Sequence, residues 1–160
     1  ARLRALAPRL GRAPCLLAWA DGVTDADLSA LEPARVAAGA AAAVLAVHPP
    51  ERFGRQDMDG ARVTAFEEKG VDRGRWINGG VFALSAEARD RLGEPGVVAG
   101  FEAGFVAGFE TGLLPALAAE GRLAALRHEG FWACMDTAKE AEALDALART
   151  GAEPWLRRDA

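Results

Sequence analysis

The chain has 160 residues, of which 51% are hydrophobic, and this is enough to bury a substantial core in one compact domain. The formal net charge of -4 and the lack of a basic block argue against nucleic acid as a partner. No apolar run approaches the roughly 20 residues that cross a bilayer, and the first residues lack a signal-peptide pattern, so no membrane partner is expected.

The cysteines indicate a reducing environment. Cys15 and Cys134 each lie in a predicted strand, and neither has a partner at the spacing of a metal site. Both thiols are therefore predicted to fill the core of a cytoplasmic protein. No zinc site is expected.

The first predicted strand begins after Gly11 and ends at Trp19, and an aspartate, Asp21, follows it. Thr24 and Asp27 have the spacing of a capping signal for the helix that comes next, so Asp21 is not needed as the cap. Asp21 is therefore predicted to lie at the carboxyl end of a strand, where open α/β sheets bind their ligands.

That helix is predicted over 25–38 and ends at Gly39. Pro33 lies inside it and is expected to bend or divide it. An apolar run over 41–47 then has the length and β-branched content of a buried strand. The order of strand, helix and strand predicts a parallel pair joined by a right-handed crossover.

The middle of the chain predicts a β-hairpin that turns at Asp59-Gly60. Its second strand ends on a charged trio, Glu67-Glu68-Lys69, which is typical of a solvated strand end. A pair of glycines, Gly79-Gly80, comes directly before the next strand, over 81–84. The pair is either a bulge or a place where a ligand approaches the backbone closely. A helix is predicted to start at Ala86.

Residues 99–112 contain Gly-Phe at every fourth position, which favours a local duplication over a binding motif. A helix follows over 114–119 and ends at Gly121.

The stretch from Leu126 to Met135 is predicted to be one half-buried strand, and Asp136 follows it. Thr137 and Glu140 then form a capping box for a last helix over 138–149. Asp136 is thus a second aspartate at a strand end. A role limited to adding negative charge near a helix N-terminus explains its position equally well.

Two strand-end carboxylates, neither of them needed as a cap, are able to hold one hard divalent cation between them. Mg²⁺ is usually bound by one or two carboxylates together with substrate phosphates. Asp21 and Asp136 therefore predict a magnesium site and indicate phosphate chemistry.

Five pieces of sequence occur in this order: Ala20-Asp21-Gly22-Val23, Pro50-x-Arg52-Phe53-Gly54, Val63-x-x-Phe66-x-Glu68-Lys69, Trp76-Ile-Asn78-Gly79-Gly80 and Gly130-Phe131-Trp132-x-x-Met135-Asp136-Thr137. Together they resemble the sugar-1-phosphate nucleotidylyltransferases, and most closely the C-terminal two thirds of the glucose-1-phosphate cytidylyltransferases. The resemblance implies a single α/β domain over 1–160, truncated at its N-terminus, with a Rossmann-like, mixed, mostly parallel sheet flanked by helices. This is the nucleotide-diphospho-sugar transferase type of fold, and the hairpin is an insertion in it.

The resemblance assigns the metal ligands and the phosphate contact. Asp21 and Asp136 correspond to the two magnesium aspartates, in agreement with their places at strand ends. Lys69 resembles the lysine that contacts the sugar phosphate, and Glu68 stands beside it.

The resemblance also assigns the sugar contacts. Asn78 and Gly79 resemble residues that touch the sugar, the glycine leaving room for the hexose. Glu110 resembles a glutamate that binds sugar hydroxyls, and Glu102 in the phenylalanine repeat is its rival for that role.

The reaction implied is attack by the phosphate of glucose 1-phosphate on the α-phosphorus of CTP, which gives CDP-glucose and pyrophosphate with Mg²⁺ as cofactor. The family's Gly-rich nucleotide-binding loop has no counterpart before Asp21, so a fragment or a degenerate copy is expected. Two alternatives stay open: a non-catalytic sugar-phosphate-binding or assembly module, and a uridylyl or thymidylyl transferase. The family also suggests a homo-oligomer.

Overall fold

The computed structural model describes residues 13–50, 54–67, 71–91, 109–151 and 153–156. The strands in these ranges are β1 (Cys15–Ala18), β2 (Gly22–Thr24), β3 (Ala42–Val47), β4 (Arg55–Asp59), β5 (Arg62–Glu67), β6 (Ile77–Leu84), β7 (Leu123–Arg127) and β8 (Trp132–Cys134). The α-helices are α1 (Leu31–Ala37), α2 (Ala86–Arg91), α3 (Leu114–Ala119) and α4 (Ala138–Arg149). The predicted α/β class, with a mixed sheet flanked by helices, is confirmed.

The described residues form two compact units. The first lies within 1–20, 27–45 and 80–126, and the second within 21–26, 46–79 and 127–160. The single domain over 1–160 stays a prediction. Among the described residues, no helix has the length and hydrophobicity that crossing a membrane requires.

A four-stranded sheet with the order β1-β6-β3-β7 organises the first unit. β1 and β6 are antiparallel, with Cys15 opposite Leu84 and Ala18 opposite Val81. β3 is buried at five of its six positions, as its unbroken apolar sequence predicts. The predicted direct pairing of the first strand with β3 is wrong, because β6 lies between them. Sequence order alone does not show that a later strand inserts there.

The core of the first unit is built on three aromatic rings, Trp19, Phe82 and Phe109. They meet edge to face, with ring centroids 4.8 to 5.8 Å apart. Phe82 and Phe109 are fully buried, and each stabilises the fold by roughly 1.5 to 3 kcal/mol through burial. The buried residues packed with them are Ala41, Ala42, Leu84, Ala88, Leu113 and Leu117. Phe109 starts a turn of π-helix, Phe109–Leu113, that leads into α3.

The first helix differs from its prediction at the start. Thr24 lies in β2, and the N-cap is Asp27, whose carboxylate accepts a hydrogen bond from the Ser29 N–H. A turn of 3₁₀-helix, Leu28–Ala30, comes before α1, so Pro33 falls in the first turn of the α-helix. Proline is tolerated there because its missing N–H would have no intrahelical partner. The expected division therefore occurs before Pro33.

Three glutamates in the first unit each pair with an arginine, and we call them the arginine-paired carboxylates. The hydrogen bonds from the guanidinium groups hold the pKa of each carboxyl below its ordinary value. In one pair both carboxylate oxygens accept bonds of 2.7 Å from a single guanidinium. The pairs are Glu32 with Arg35, Glu87 with Arg122, and Glu120 with Arg91.

The second unit contains two small antiparallel sheets, β4–β5 and β2–β8. The predicted hairpin is confirmed, and Gly60 in its turn has a φ of 58°, which favours glycine. The predicted single strand up to Met135 is wrong: the chain forms β7 and β8, which belong to different sheets. The break includes Gly130, where a β-carbon would lie 2.6 Å from the His128 ring and 2.7 Å from Asp25.

The last helix agrees with its prediction. Thr137 caps α4, its hydroxyl accepting from the Glu140 N–H while the Glu140 carboxylate accepts from the Thr137 N–H at 2.8 Å. After α4, Trp155 packs on Phe131 of the same unit with ring centroids 5.8 Å apart.

Candidate functional site

The two strand-end aspartates flank one short antiparallel ladder. In the β2–β8 pair, Gly22 lies opposite Cys134, and the Met135 N–H donates a 2.9 Å hydrogen bond to the Asp21 carbonyl. Asp21 therefore comes just before β2 and Asp136 just after Met135, at the same end of the ladder. Both residues are exposed to solvent. The strands thus bring together two residues that are far apart in sequence.

The negative charge at this end of the ladder affects the pKa of the Cys134 thiol. Burial is the main cause that raises the pKa of Cys134, and the negative charges of Asp136, Glu140 and Asp21 raise it further. The sulfur also lies 3.7 Å from a carboxylate oxygen of Asp136. Both aspartates therefore lie close enough to Cys134 to raise the pKa of its thiol.

Trp132 links the ladder to the start of β6. Its indole N–H donates a 2.9 Å hydrogen bond to the Gly79 carbonyl. A β-carbon on Gly22 would lie 3.8 Å from that same carbonyl and 3.8 Å from the indole nitrogen. Asn78 is exposed and Gly79 is buried, and the bond to Trp132 holds both beside the two aspartates' ladder.

The connection between β7 and β8 is also tied to β2. The Phe131 carbonyl accepts bonds from the Thr24 hydroxyl at 2.8 Å and from the Asp25 N–H at 3.2 Å. His128 Nε2 lies 2.6 Å from an Asp25 carboxylate oxygen. These contacts set the position of β8, and hence of Asp136, against β2.

The residues present fit a magnesium ion. Mg²⁺ prefers oxygen ligands and commonly takes one or two carboxylates plus waters and phosphates. In the part of the chain that the structure describes, no group of three or more His, Cys, Asp or Glu side chains has the arrangement of a metal site. A cation held by Asp21 and Asp136 would therefore take its other ligands from solvent and substrate. The magnesium role of both aspartates stays a prediction.

The remaining predicted site residues are placed differently. Glu110 lies in the π-helical turn of the first unit, where it is half-buried, and its sugar role stays a prediction. Glu68, Lys69 and Glu102 lie outside the described residues.

Trp132 and the pair of His128 with Asp25 are structural contributors to this site that the sequence alone did not predict. The signal for Trp132 was present, because it belongs to the Gly-Phe-Trp piece of the resemblance. Its partner could not be found from sequence, since Gly79 lies 53 positions away and offers only a backbone carbonyl.

The chain is similar to known proteins over most of its length. No protein-family model matches the chain. Glucose-1-phosphate cytidylyltransferases from Salmonella typhi and Salmonella typhimurium are each 34% identical to it over 140 residues, which is 88% of this chain. The resemblance to the glucose-1-phosphate cytidylyltransferases is confirmed. A Bacillus subtilis protein named probable glucose-1-phosphate cytidylyltransferase is 32% identical over 91% of this chain. The chain spans about half the length of these relatives, 51 to 54%.

Solved structures agree on the fold. The crystal structure of a candidate glucose-1-phosphate thymidylyltransferase from Bacillus anthracis, in complex with sucrose, has a TM-score of 0.62 at 16% identity. The match covers 92% of this chain and 59% of the Bacillus anthracis chain. The structure of HddC from Yersinia pseudotuberculosis has a TM-score of 0.52 at 13% identity, covering 88% of this chain and 58% of that one. At such identities the likeness shows the fold alone.

Proposed function

We propose that this chain contributes the metal and sugar side of a sugar-1-phosphate nucleotidylyltransferase site. The observation that carries the proposal is the β2–β8 ladder, which sets Asp21 and Asp136 at one end and fixes Gly79 beside it. The similarity to three proteins named as certain or probable glucose-1-phosphate cytidylyltransferases supports CTP and glucose 1-phosphate as the substrates, and CDP-glucose and pyrophosphate as the products.

Each group of residues has a distinct part in this proposal. Asp21 and Asp136 hold Mg²⁺, which when bound neutralises charge on the reacting phosphates. Asn78 and Gly79 bind the hexose, and Lys69 pairs with the sugar phosphate. The chain thus orients the sugar phosphate for attack, and positioning together with charge complementarity accounts for the catalysis without a covalent intermediate.

The test is pyrophosphate release by a completed enzyme, in which the nucleotide-binding N-terminal part of one of these relatives precedes this chain, supplied with glucose 1-phosphate, Mg²⁺ and one of CTP, UTP or TTP. We expect release with CTP, and loss of it in Asp136→Asn. Asp59→Asn is the matched control, because Asp59 is an exposed aspartate at the end of β4 in the hairpin. An Asp136→Asn variant as active as the control removes Asp136 from the site, and release with UTP or TTP alone overturns the choice of CTP.

A binding measurement separates the enzyme from a non-catalytic module. Titration calorimetry with glucose 1-phosphate reports binding without turnover. If the chain binds the sugar phosphate but the completed enzyme releases no pyrophosphate with any of the three nucleotides, the catalytic proposal fails and a sugar-phosphate-binding module is favoured.

Lys69 provides a further check of the assignment. Replacing it by alanine removes the charge proposed to pair with the sugar phosphate, so Lys69→Ala should weaken glucose 1-phosphate binding more than CTP binding. Equal losses for both ligands would contradict this role.

A further inference from the structure

His48 is a buried histidine that the proposed chemistry does not use. It follows β3 directly and is only 8% exposed. Its Nδ1 lies 2.7 Å from the backbone carbonyl of Arg75, and its Nε2 lies 3.1 Å from a carboxylate oxygen of Glu129. A single ring therefore connects the segment before β6 with the segment after β7.

Both of these partners are hydrogen-bond acceptors. A carbonyl oxygen and an ionised carboxylate have no proton to donate, so each ring nitrogen must carry a proton to make its bond. Only the imidazolium form satisfies both contacts. In either neutral tautomer, one ring lone pair would point at an oxygen and that contact would become repulsive.

The charged groups around His48 are consistent with a positive ring. Glu129 also accepts a 2.9 Å bond from Arg73, so its carboxylate is shared between two cations. Asp72 lies in the same segment, and its pKa is held below its ordinary value mainly by the Arg75 side chain and the Gly74 N–H. The charged surroundings of the ring therefore include both acidic and basic side chains.

Trp76 connects His48 to the start of β6, which carries Asn78 and Gly79. Its ring lies against His48, with centroids 3.9 Å apart, and the guanidinium carbon of Arg127 is 5.5 Å from the Trp76 ring centroid. Trp76 immediately precedes β6, and Asn78 and Gly79 are the second and third residues of that strand. The Trp76 ring thus contacts both His48 and Arg127 directly before β6 begins.

We propose that His48 is a positioning residue whose imidazolium, bound between the Arg75 carbonyl and Glu129, holds the start of β6 so that sugar-phosphate binding at Asn78 and Gly79 weakens when the ring loses its proton. The consequence for affinity rests on the proposed function. The dependence of the His48 contacts on protonation does not rest on the proposed function, because it follows from the two acceptors alone.

The size of the effect follows from one hydrogen bond. Deprotonation leaves one of the two ring contacts unmade, which corresponds to about a three- to tenfold change in an equilibrium constant. Glu129→Gln removes the dependence without removing the contact, because the amide group of glutamine can donate to a neutral ring nitrogen. In that variant both His48 bonds are satisfied by the neutral ring.

The first experiment is a pH titration of the full chain followed by NMR. We expect the backbone amide signals of Arg75, Trp76 and Asn78 to shift with the same midpoint as the His48 ring, and these shifts to be largely lost in Glu129→Gln. Glu87→Gln is the matched control, since Glu87 also pairs with an arginine but lies in the first unit. The ring signals of His128, followed in the same spectra, show whether an amide shift follows the other histidine instead of His48.

Amide signals that stay constant through the His48 titration, or that respond equally in Glu129→Gln and wild type, overturn the proposal. A His48 ring that shows only one protonated nitrogen throughout the titration range in which the fold persists overturns it as well.

The second experiment measures glucose 1-phosphate affinity across the same pH range. Because the phosphate itself changes charge near pH 6, the quantity compared is the ratio of wild-type to Glu129→Gln affinity. We expect this ratio to fall about three- to tenfold as His48 deprotonates. A constant ratio overturns the link to the site even if the NMR shifts are present. Wild-type protein that binds no sugar phosphate at any pH contradicts the proposed function instead, and the NMR result then decides the protonation-dependent bond alone.

Discussion

Replacing Trp132 by phenylalanine tests the link between the β2–β8 ladder and the start of β6. The variant keeps an aromatic ring but removes the N–H that donates to the Gly79 carbonyl at 2.9 Å. Gly79 is buried, so its carbonyl would be left without that donor. An unsatisfied buried acceptor costs about 1 to 3 kcal/mol, and we expect the free energy of unfolding to fall by that amount.

Urea denaturation of the chain measures this loss, and Trp155→Phe is the matched control. Trp155 is also half-buried in the second unit, where it packs on Phe131, and its replacement trims the same atoms. We expect Trp155→Phe to cost less than about 1 kcal/mol. A Trp132→Phe variant that is no less stable than Trp155→Phe would refute the reasoning, because it would mean that the bond to Gly79 does not hold β8 to the start of β6.

Further predictions concern the thiol, a glycine and the stability at low pH. Asp136→Asn should speed alkylation of Cys134 at pH 8 by a factor of about two or more, because losing the negative charge lowers the thiol pKa; Cys15 is the internal control, and an unchanged Cys134 rate would contradict the contact. Gly80→Ala should destabilise the chain by about 1 to 3 kcal/mol, measured by urea denaturation, since its φ is 78° and the new β-carbon would lie 3.0 Å from Trp19. Gly39→Ala, with a φ of 61° but open space, should cost less, and an equal cost would argue against the clash. The arginine-paired carboxylates have lowered pKa values in the folded state, so their stabilisation is present above about pH 4.5 and is lost as the pH falls through the folded pKa values. Thermal unfolding between pH 6 and pH 3 should show a modest decline, and removing these glutamates together should flatten it.

Local patterns predicted the elements whose stability is local. The capping box of Thr137 with Glu140 marks the start of α4, and the turn at Gly60 marks the hairpin, because both depend on hydrogen bonds and backbone angles within a few residues. The apolar run of β3 is equally clear, since a strand buried on both faces has almost no polar positions.

Predictions failed where a distant residue decides the outcome. The run up to Met135 has the composition of one strand, but the chain divides it around Gly130, where Asp25 and the His128 ring leave no room for a β-carbon. The first strand and β3 were expected to pair, but β6 from later in the chain separates them. Asp27 is the N-cap and Thr24 is not, because the Thr24 hydroxyl donates a hydrogen bond to the Phe131 carbonyl, 107 positions away.

The sequence by itself determined that this is an α/β chain carrying two strand-end aspartates, and its five ordered motifs were enough to identify the relatives. Composition, periodicity and caps suffice for this because they depend on neighbours along the chain. Only the tertiary structure decided that β2 and β8 pair, that Trp132 reaches Gly79, and that His48 lies between two acceptors. Those contacts join residues 27 to 112 positions apart, and their partners include backbone carbonyls that no residue type reveals.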